Sequence, residues 1–169
     1  MGDVFKEQII KRKPTAKDAI FRFLLITAAA LIFILALFFV QGFGPIIGFA
    51  AGFGAWFAMS YLNVEYEYIF TNGDLDIDII YNRARRKRLF SGHVNNFEVM
   101  CHVEDKVHIG ELSGAQETRD FSSGEVNENT YAFLTTHNSK RIKVIIEPNE
   151  KMLKAIGTIL TRRKLHIKQ

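Results

Sequence analysis

The feature that most constrains this chain is a stretch without any charged residue, from residue 23 to residue 64 of 169. Fifteen of the 18 acidic residues lie from Glu65 onward, so charged and apolar residues are segregated along the chain. A soluble globular protein distributes its apolar residues through all of its elements, and a disordered chain contains few aromatic residues. The segregation and the aromatic content of 12% exclude both classes, and they indicate a membrane segment followed by a folded domain.

Two apolar runs occupy the charge-free stretch. Residues 23–40 have one polar side chain, Thr27, and residues 44–62 have only the hydroxyl of Ser60 besides their aromatic residues. Either run can form a helix that crosses a hydrocarbon core of about 30 Å if its ends extend by a residue or two. Gly42, Gly44 and Pro45, where the first run ends and the second begins, favour a turn. We therefore expect a transmembrane hairpin over 19–63, with helices at about 19–40 and 45–63.

The positive charges that flank the apolar runs predict the orientation of this hairpin. Residues 1–22 contain six cations, and a second cationic run follows residue 82, whereas the segment between the helices has none. Lys and Arg close to membrane segments are retained on the cytoplasmic side. We therefore expect both termini in the cytoplasm. Thr15 and Asp18 have the spacing of a capping box, which predicts the start of the first helix.

Glycines recur every four residues in the second apolar run, at Gly44, Gly48 and Gly52. This spacing places them on one helical stripe, where another helix can approach closely. The stripe packs either against the first helix of the hairpin or against a second copy of the chain, which leaves a homo-oligomer open. A pore is disfavoured because neither run contains a charged residue or a polar stripe.

Beyond the second apolar run the hydrophobic period changes to two. The residues on both sides of Asn72-Gly73 alternate between apolar and polar, and this pattern is a strong signal for a β-hairpin. A two-residue turn would place Glu67 opposite Asp78, a like-charge pair that is unfavourable on its own. The cationic residues 85–88 that follow would relieve this repulsion if they form a third strand.

The rest of the sequence predicts further short strands and one helix. From about 149 to 164 the pattern is amphipathic, with an apolar stripe of Met152, Ile156, Ile159 and Leu160. About seven strands followed by a helix is the order of a pleckstrin-homology-like (PH-like) fold, an antiparallel barrel or roll with a helix over its open corner. The other strand candidates cover residues 96–102, 106–112, 117–121, 130–136 and 141–147.

Three segments carry a resemblance to known proteins. They are Tyr-Ile-Phe-Thr-Asn-Gly-Asp-Leu-Asp-Ile at 68–77, the basic opening at 7–14 and the helix start at 147–153. In this order, with a hydrophobic hairpin before the first, the chain resembles bacterial membrane-anchored PH-like proteins, especially their small two-span members of unknown function. The resemblance extends over essentially the whole chain. It implies an α+β fold and a bacterial inner-membrane location, and it supplies no catalytic residues.

The cationic run is the strongest candidate for a binding site. Near a bilayer such residues contact anionic headgroups, with about 1 kcal/mol from each cation. The alternative is a strand whose cations pair with the acidic residues of the preceding hairpin. No nucleic-acid partner is expected, because the basic excess lies next to the membrane segment. The run consists of Arg83, Arg85, Arg86, Lys87 and Arg88.

Asp74, Asp76 and Asp78 are potential metal ligands. On a strand they share one face, but successive carboxylates are then about 7 Å apart, too far for one divalent ion to bind all three comfortably. A solvated face is the simpler interpretation.

Cys101, His102, His93 and His108 are potential zinc ligands. Cys101 and His102 are adjacent, so on a strand they point to opposite faces. No nucleophile elbow or oxyanion loop accompanies Cys101. We therefore expect no catalytic residue, no cofactor site and no metal site.

The sequence thus predicts three parts and a non-catalytic function. Residues 1–18 are expected to form a basic cytoplasmic segment, 19–63 the hairpin and 64–169 a cytoplasmic PH-like domain. Held at the bilayer, this domain would act as a binding or scaffolding module for a protein partner at the membrane. The alternatives are an accessory subunit of a membrane enzyme or transporter and a module that senses anionic lipid.

Overall fold

The computed structural model describes residues 4–40, 42–160 and 165–166. The chain divides into two compact units. The helical unit contains residues 14–64 and 81–85, and the β-domain contains the residues up to 13, residues 65–80 and those from 86 onward. The β-domain is therefore built from separate stretches of chain, one of which precedes the helices.

Two apolar helices form the helical unit: α1 covers Ala16–Phe39 and α2 covers Gly44–Ser60. At the start of α1 the Thr15 hydroxyl accepts a hydrogen bond from the Asp18 backbone N–H, and the Asp18 carboxylate accepts one from the Thr15 backbone N–H. This reciprocal pair confirms the predicted capping box. α1 is long and apolar enough to cross a membrane, and α2 is an apolar helix of 17 residues.

The strands form two sheets. The first contains β1 (Phe5–Lys11), β2 (Val64–Thr71), β3 (Asp74–Tyr81) and β4 (Arg85–His93), hydrogen-bonded in that order. The second contains β5 (Phe97–His102), β6 (Glu117–Asp120), β7 (Tyr131–His137), β8 (Lys140–Ile146) and β9 (Leu165–His166), in the order β6-β8-β7-β5-β9. A helix, α3 (Glu150–Ile159), follows β8.

The hairpin between β2 and β3 turns where the sequence predicts it. Asn72 and Gly73 both have positive φ, 51° and 105°, as a two-residue hairpin turn with the twist of its strands requires. Gly73 adopts this conformation without strain, and asparagine tolerates it better than most residues.

The expected antiparallel barrel is wrong in two respects. In the described part of the chain no ladder of hydrogen bonds joins the two sheets, so the barrel is not closed. The pairs β6–β8 and β5–β9 are parallel. An alternating pattern identifies a strand and its buried face, but the choice of partner and direction depends on contacts between residues far apart in sequence.

The predicted strand at 106–112 is also wrong, because turns and a 3-10 helix, Ile109–Leu112, occupy this segment. The Asp105 carboxylate accepts hydrogen bonds from the backbone N–H groups of Val107 and His108. Such a side-chain bond to the following backbone replaces a strand ladder with a turn. The alternating hydrophobicity of this segment therefore does not reflect a strand.

The N-terminal segment contains a strand that the sequence analysis did not predict. β1 lies antiparallel to β2 at the edge of the first sheet, with Phe5 opposite Thr71 and Lys11 opposite Glu65. Its residues alternate between exposed and half-buried, and Phe5 and Ile9 are both exposed. Because neither face of β1 is fully buried, its sequence lacks the alternation of apolar and polar residues that predicts a strand.

The core of the β-domain is formed by large side chains of both sheets and of α3. Tyr68 is fully buried, and its hydroxyl donates to the carbonyl of Phe121 at 2.5 Å and accepts from the Glu147 backbone N–H at 3.3 Å. These bonds satisfy the polar tip of an otherwise apolar side chain. Other fully buried residues are Phe70, Leu75, Ile77, Phe97, Met100, Phe133, Leu134, Ile142, Ile146, Met152 and Ile156.

α3 begins where the sequence predicts it, since the Asn149 side chain caps it by accepting from the Met152 backbone N–H at 2.9 Å. The helix ends at Ile159, earlier than the expected residue 164. Residues 161–164, which include the predicted basic C-terminal turn, lie outside the described residues. Ile156 is fully buried, whereas Ile159 is only partly buried.

Replacing Ile156 by alanine is expected to destabilise the β-domain by about 2–5 kcal/mol, since it removes buried methyl groups and leaves a cavity. The measurement is a urea unfolding curve of the full chain in detergent, followed by near-ultraviolet circular dichroism. Lys151→Ala, at an exposed position of the same helix, serves as the control and should change stability by less than about 0.5 kcal/mol. Equal effects of the two changes would contradict the placement of α3 on the core.

Candidate functional site

The surface of the helical unit is dominated by large apolar side chains. Phe38, Phe39 and Phe49 expose 78%, 81% and 78% of their surface. Of the described residues of α1 and α2, only Asp18, Ala36, Gly44 and Gly48 are buried. Soluble monomers rarely expose a contiguous apolar patch of more than a few hundred Å². The surface therefore suits hydrocarbon or another apolar partner rather than water.

The predicted glycine stripe has two different environments. A side chain on Gly44 would approach the Ala36 carbonyl oxygen to 2.6 Å, and one on Gly48 would overlap the Phe33 ring. These two glycines therefore allow α1 and α2 to pack closely. A side chain on Gly52 would meet nothing within 4 Å, and Gly52 instead lines an open apolar groove of about 530 Å³ with Phe33 and Trp56.

The residues of the cationic run have different surroundings. Arg83 lies in the turn before β4 with a positive φ of 55°. The guanidinium carbon of Arg85 is 5.9 Å from the centre of the Tyr61 ring, within the range of a cation–π contact. Lys87 is exposed and, within the described part of the chain, has no ion-pair partner.

Arg86 and Arg88 contact acidic residues of the neighbouring hairpin. Arg86 binds the Glu67 carboxylate at 2.7 Å, and the side chain of Glu67 is only 2% exposed. Arg88 bridges two carboxylates, Asp76 at 2.7 Å and Asp78, whose side chain is 6% exposed. Taking buried carboxylates out of water is costly unless a cation and hydrogen bonds compensate for it. The two guanidinium groups supply part of that compensation.

Glu67 is the centre of a group of acidic residues. Ile9 of β1 is its register partner, and Glu7 lies two residues away on the same face. Burial raises the pKa of Glu67, the carboxylates of Glu7 and Asp78 raise it further, and Arg86 opposes these effects. Glu7 was not among the predicted site residues, because nothing in the N-terminal segment indicated that it would pair with β2.

The other sequence-derived candidates do not form one site. Asp76 and Asp78 both face the Arg88 guanidinium, and Asp74 is exposed at the start of β3. Cys101 is fully buried, and burial raises the pKa of its thiol to about 11, so that little reactive thiolate forms at neutral pH. This environment does not activate a nucleophile.

His102 is buried and both of its ring nitrogens are hydrogen-bonded. Nε2 is 2.9 Å from the Asn127 carbonyl oxygen, and Nδ1 accepts from the Glu104 backbone N–H at 3.1 Å. The Nδ1 of His93 accepts from the Asn95 backbone N–H. Among the described residues, the group of three or more potential metal ligands that lie together contains His108, but it does not contain His93, His102 or Cys101.

A polar pocket of about 310 Å³ lies in the β-domain. The Gln8 side-chain amide donates to the Glu147 carbonyl and accepts from the Asn149 backbone N–H, which fixes one wall. The buried Glu147 carboxylate accepts from the Ser123 hydroxyl at 2.7 Å. Asn127 and Asn129 complete a lining rich in amide groups, which suits a polar ligand or an extended peptide.

Residues 2–166 match the family described as Bacterial PH-like domain (DUF6106), and the chain belongs to this family. The match confirms the resemblance to bacterial PH-like proteins of unknown function. Comparisons with curated proteins and with solved structures gave no significant match.

Arg88→Gln is expected to lower the free energy of unfolding by about 1–3 kcal/mol, because the buried Asp78 carboxylate loses its cation and hydrogen bond. Lys87→Gln is the matched control, since it removes the same charge from the adjacent position without breaking an ion pair. Urea unfolding of the full chain in detergent measures both. A loss of stability as large in Lys87→Gln as in Arg88→Gln would contradict the assigned contacts.

Glu67 should make stability depend on pH. The pKa of Glu67 is raised above the ordinary 4.5 in the folded chain. At a pH between 4.5 and this higher pKa, folding is therefore accompanied by the uptake of a proton. The associated stability is present below the lower pKa and is lost as pH rises through the higher one. Glu67→Gln, which cannot ionise at this position, should therefore gain stability relative to the wild type as pH rises above 4.5. Glu128→Gln, an exposed control, should show no such trend, and a flat difference for Glu67→Gln would refute the assignment.

Proposed function

We propose that this protein is a membrane-tethered cytoplasmic binding module without catalytic activity. The observation that supports this proposal most strongly is the exposed apolar surface of α1 and α2, attached to a β-domain that has a buried core of its own. In the proposal both helices span the inner membrane as a hairpin. α2 has 17 residues and reaches the needed length only if the bilayer thins locally or the flanking residues extend it.

The flanking charges support the orientation of the hairpin. Lys6, Lys11 and Lys13 precede α1, and the cationic run follows α2. Residues 23–64, which include the turn between the helices, carry no charge. Both flanks would remain in the cytoplasm and the turn would lie outside. The parts of the β-domain before and after the helices would then be on the same side of the membrane, as the pairing of β1 with β2 requires.

The mechanism in this proposal is localisation. A domain fixed to the bilayer has a high effective concentration for any partner on the same surface. The amide-lined pocket with Gln8, Asn127 and Asn129 is the surface of the β-domain that best suits a polar partner segment. The groove beside Gly52 would serve a second apolar helix, either of another copy of the chain or of a membrane enzyme or transporter to which it is an accessory subunit.

Anionic lipid is a second candidate ligand, and the favourable observation is the exposed Lys87 without an ion-pair partner in the described part of the chain. Arg86 and Arg88 support it less, because their guanidinium groups are bound to carboxylates. A headgroup would have to compete with Glu67, Asp76 and Asp78 for them. A protein partner is therefore the preferred proposal.

Reporter fusions test the topology. A fusion after Gly42, in the turn between the helices, should be active only as a periplasmic reporter, and a fusion after Gln169 only as a cytoplasmic one, because cations hold both flanks inside. Cytoplasmic activity at Gly42 would contradict the hairpin. The matched control is a chain with added lysines in the turn, which should reduce the periplasmic signal at Gly42.

A further inference from the structure

Three potential metal ligands meet between the 3-10 helix Ile109–Leu112 and β9. The ligand atoms of His108, Glu111 and His166 all lie within 4.8 Å of one another. Ligands bound to one zinc ion at 2.0–2.1 Å stand roughly 3.3–3.5 Å apart, so these ligand atoms must come closer by roughly 1–1.5 Å to form a coordination shell. We propose that His108, Glu111 and His166 form a zinc-binding site on the β-domain.

His108 is oriented by a hydrogen bond that leaves a ligand atom available. Its Nδ1 is 2.8 Å from a carboxylate oxygen of Asp105, and an ionised carboxylate only accepts hydrogen bonds. Nδ1 therefore carries a proton, and in the neutral ring the lone pair of Nε2 is available to bind a cation. A histidine that donates its other N–H to a carboxylate is the usual arrangement around protein-bound zinc. Asp105 thus acts as a positioning residue.

The two histidine rings lie face to face. The ring centres of His108 and His166 are 3.5 Å apart, and their planes differ by 8°. Parallel rings aim their nitrogens in parallel directions, so the rings must splay for both to reach one ion.

The backbone holds the two parts of the site in place. β9 pairs with β5 in parallel, with Leu165 opposite Met100 and His166 opposite Cys101. Leu112, one residue after Glu111, is buried in the cluster that contains Val99 and Cys101. Both segments therefore pack around β5, and a bound ion would link β9 to the 3-10 helix.

The ligand types favour zinc over calcium and magnesium. Imidazole nitrogen suits zinc and its neighbours among the transition metals, whereas calcium and magnesium require mostly oxygen ligands. Two histidines and one glutamate give three protein ligands and leave a fourth position for water. The side chains of His108 and Asp105 are partly exposed, at 29% and 22%, so an ion can reach the site from solvent.

Zinc competition against a chromogenic chelator tests the proposal on the full chain in detergent. The wild type should bind one equivalent. His108→Gln and His166→Gln should each weaken binding at least tenfold. Asp105→Asn should weaken it by about 10–100-fold, as expected for a carboxylate that holds a metal-binding histidine in place. His137→Gln, which changes a histidine outside the cluster, should bind as the wild type does.

Glu111→Gln keeps the test valid if a histidine variant fails to fold. Glu111 is exposed, so its replacement should leave the unfolding curve unchanged while weakening zinc binding at least tenfold. The proposal is overturned if the wild type does not bind zinc, or if Glu111→Gln binds it as tightly as the wild type. Magnesium in place of zinc should give no competition at the same concentrations.

Discussion

The constraint on which the structure depends is that the exposed apolar side chains of α1 and α2 favour an apolar environment over water. Their backbone hydrogen bonds are internal to the helices, as a hydrocarbon environment demands, and their large side chains point outward. Gly44 and Gly48 permit the close contact of the two helices, but this contact leaves Phe38, Phe39 and Phe49 exposed. Burying such surface is worth about 25 cal/mol for each Å², so transfer into a bilayer would strongly stabilise the hairpin.

In the β-domain, by contrast, opposite charges on neighbouring strands favour their contact. Its first sheet keeps Glu67 and Asp78 almost fully buried, and Arg86 and Arg88 lie against them. A buried ion pair adds little net stability compared with apolar packing, but removing one partner is costly. Because residues 85–88 are all cationic, a β4 strand shifted by one residue would still place a cation near these carboxylates. The opposite charges therefore favour the contact between β3 and β4, whereas the register of β4 depends on apolar residues such as Phe90, which the shift would remove from the core.

Local signals predicted the local structure of this chain. Asn72-Gly73 predicted a turn, Thr15 with Asp18 predicted a cap, and the apolar stripe of α3 predicted a buried face, because each depends on residues close in sequence. The pairing of β1, the parallel strands and the open arrangement of the sheets depend on distant contacts that no local pattern encodes. The candidate sites divide in the same way. The cationic run could be predicted because its residues are close together in sequence. Glu7 and Glu67, and likewise His108 and His166, are far apart in sequence and are brought together only by the fold.

Protease digestion of inverted inner-membrane vesicles tests the central claim, that α1 and α2 form a hairpin in the bilayer with the β-domain in the cytoplasm. Inverted vesicles expose the cytoplasmic face, so the account predicts loss of the β-domain and one protected fragment of residues 14–64. Mass spectrometry of the membrane pellet identifies the fragment. Complete digestion would contradict the membrane hairpin, and protection of residues 97–146 would contradict a cytoplasmic β-domain.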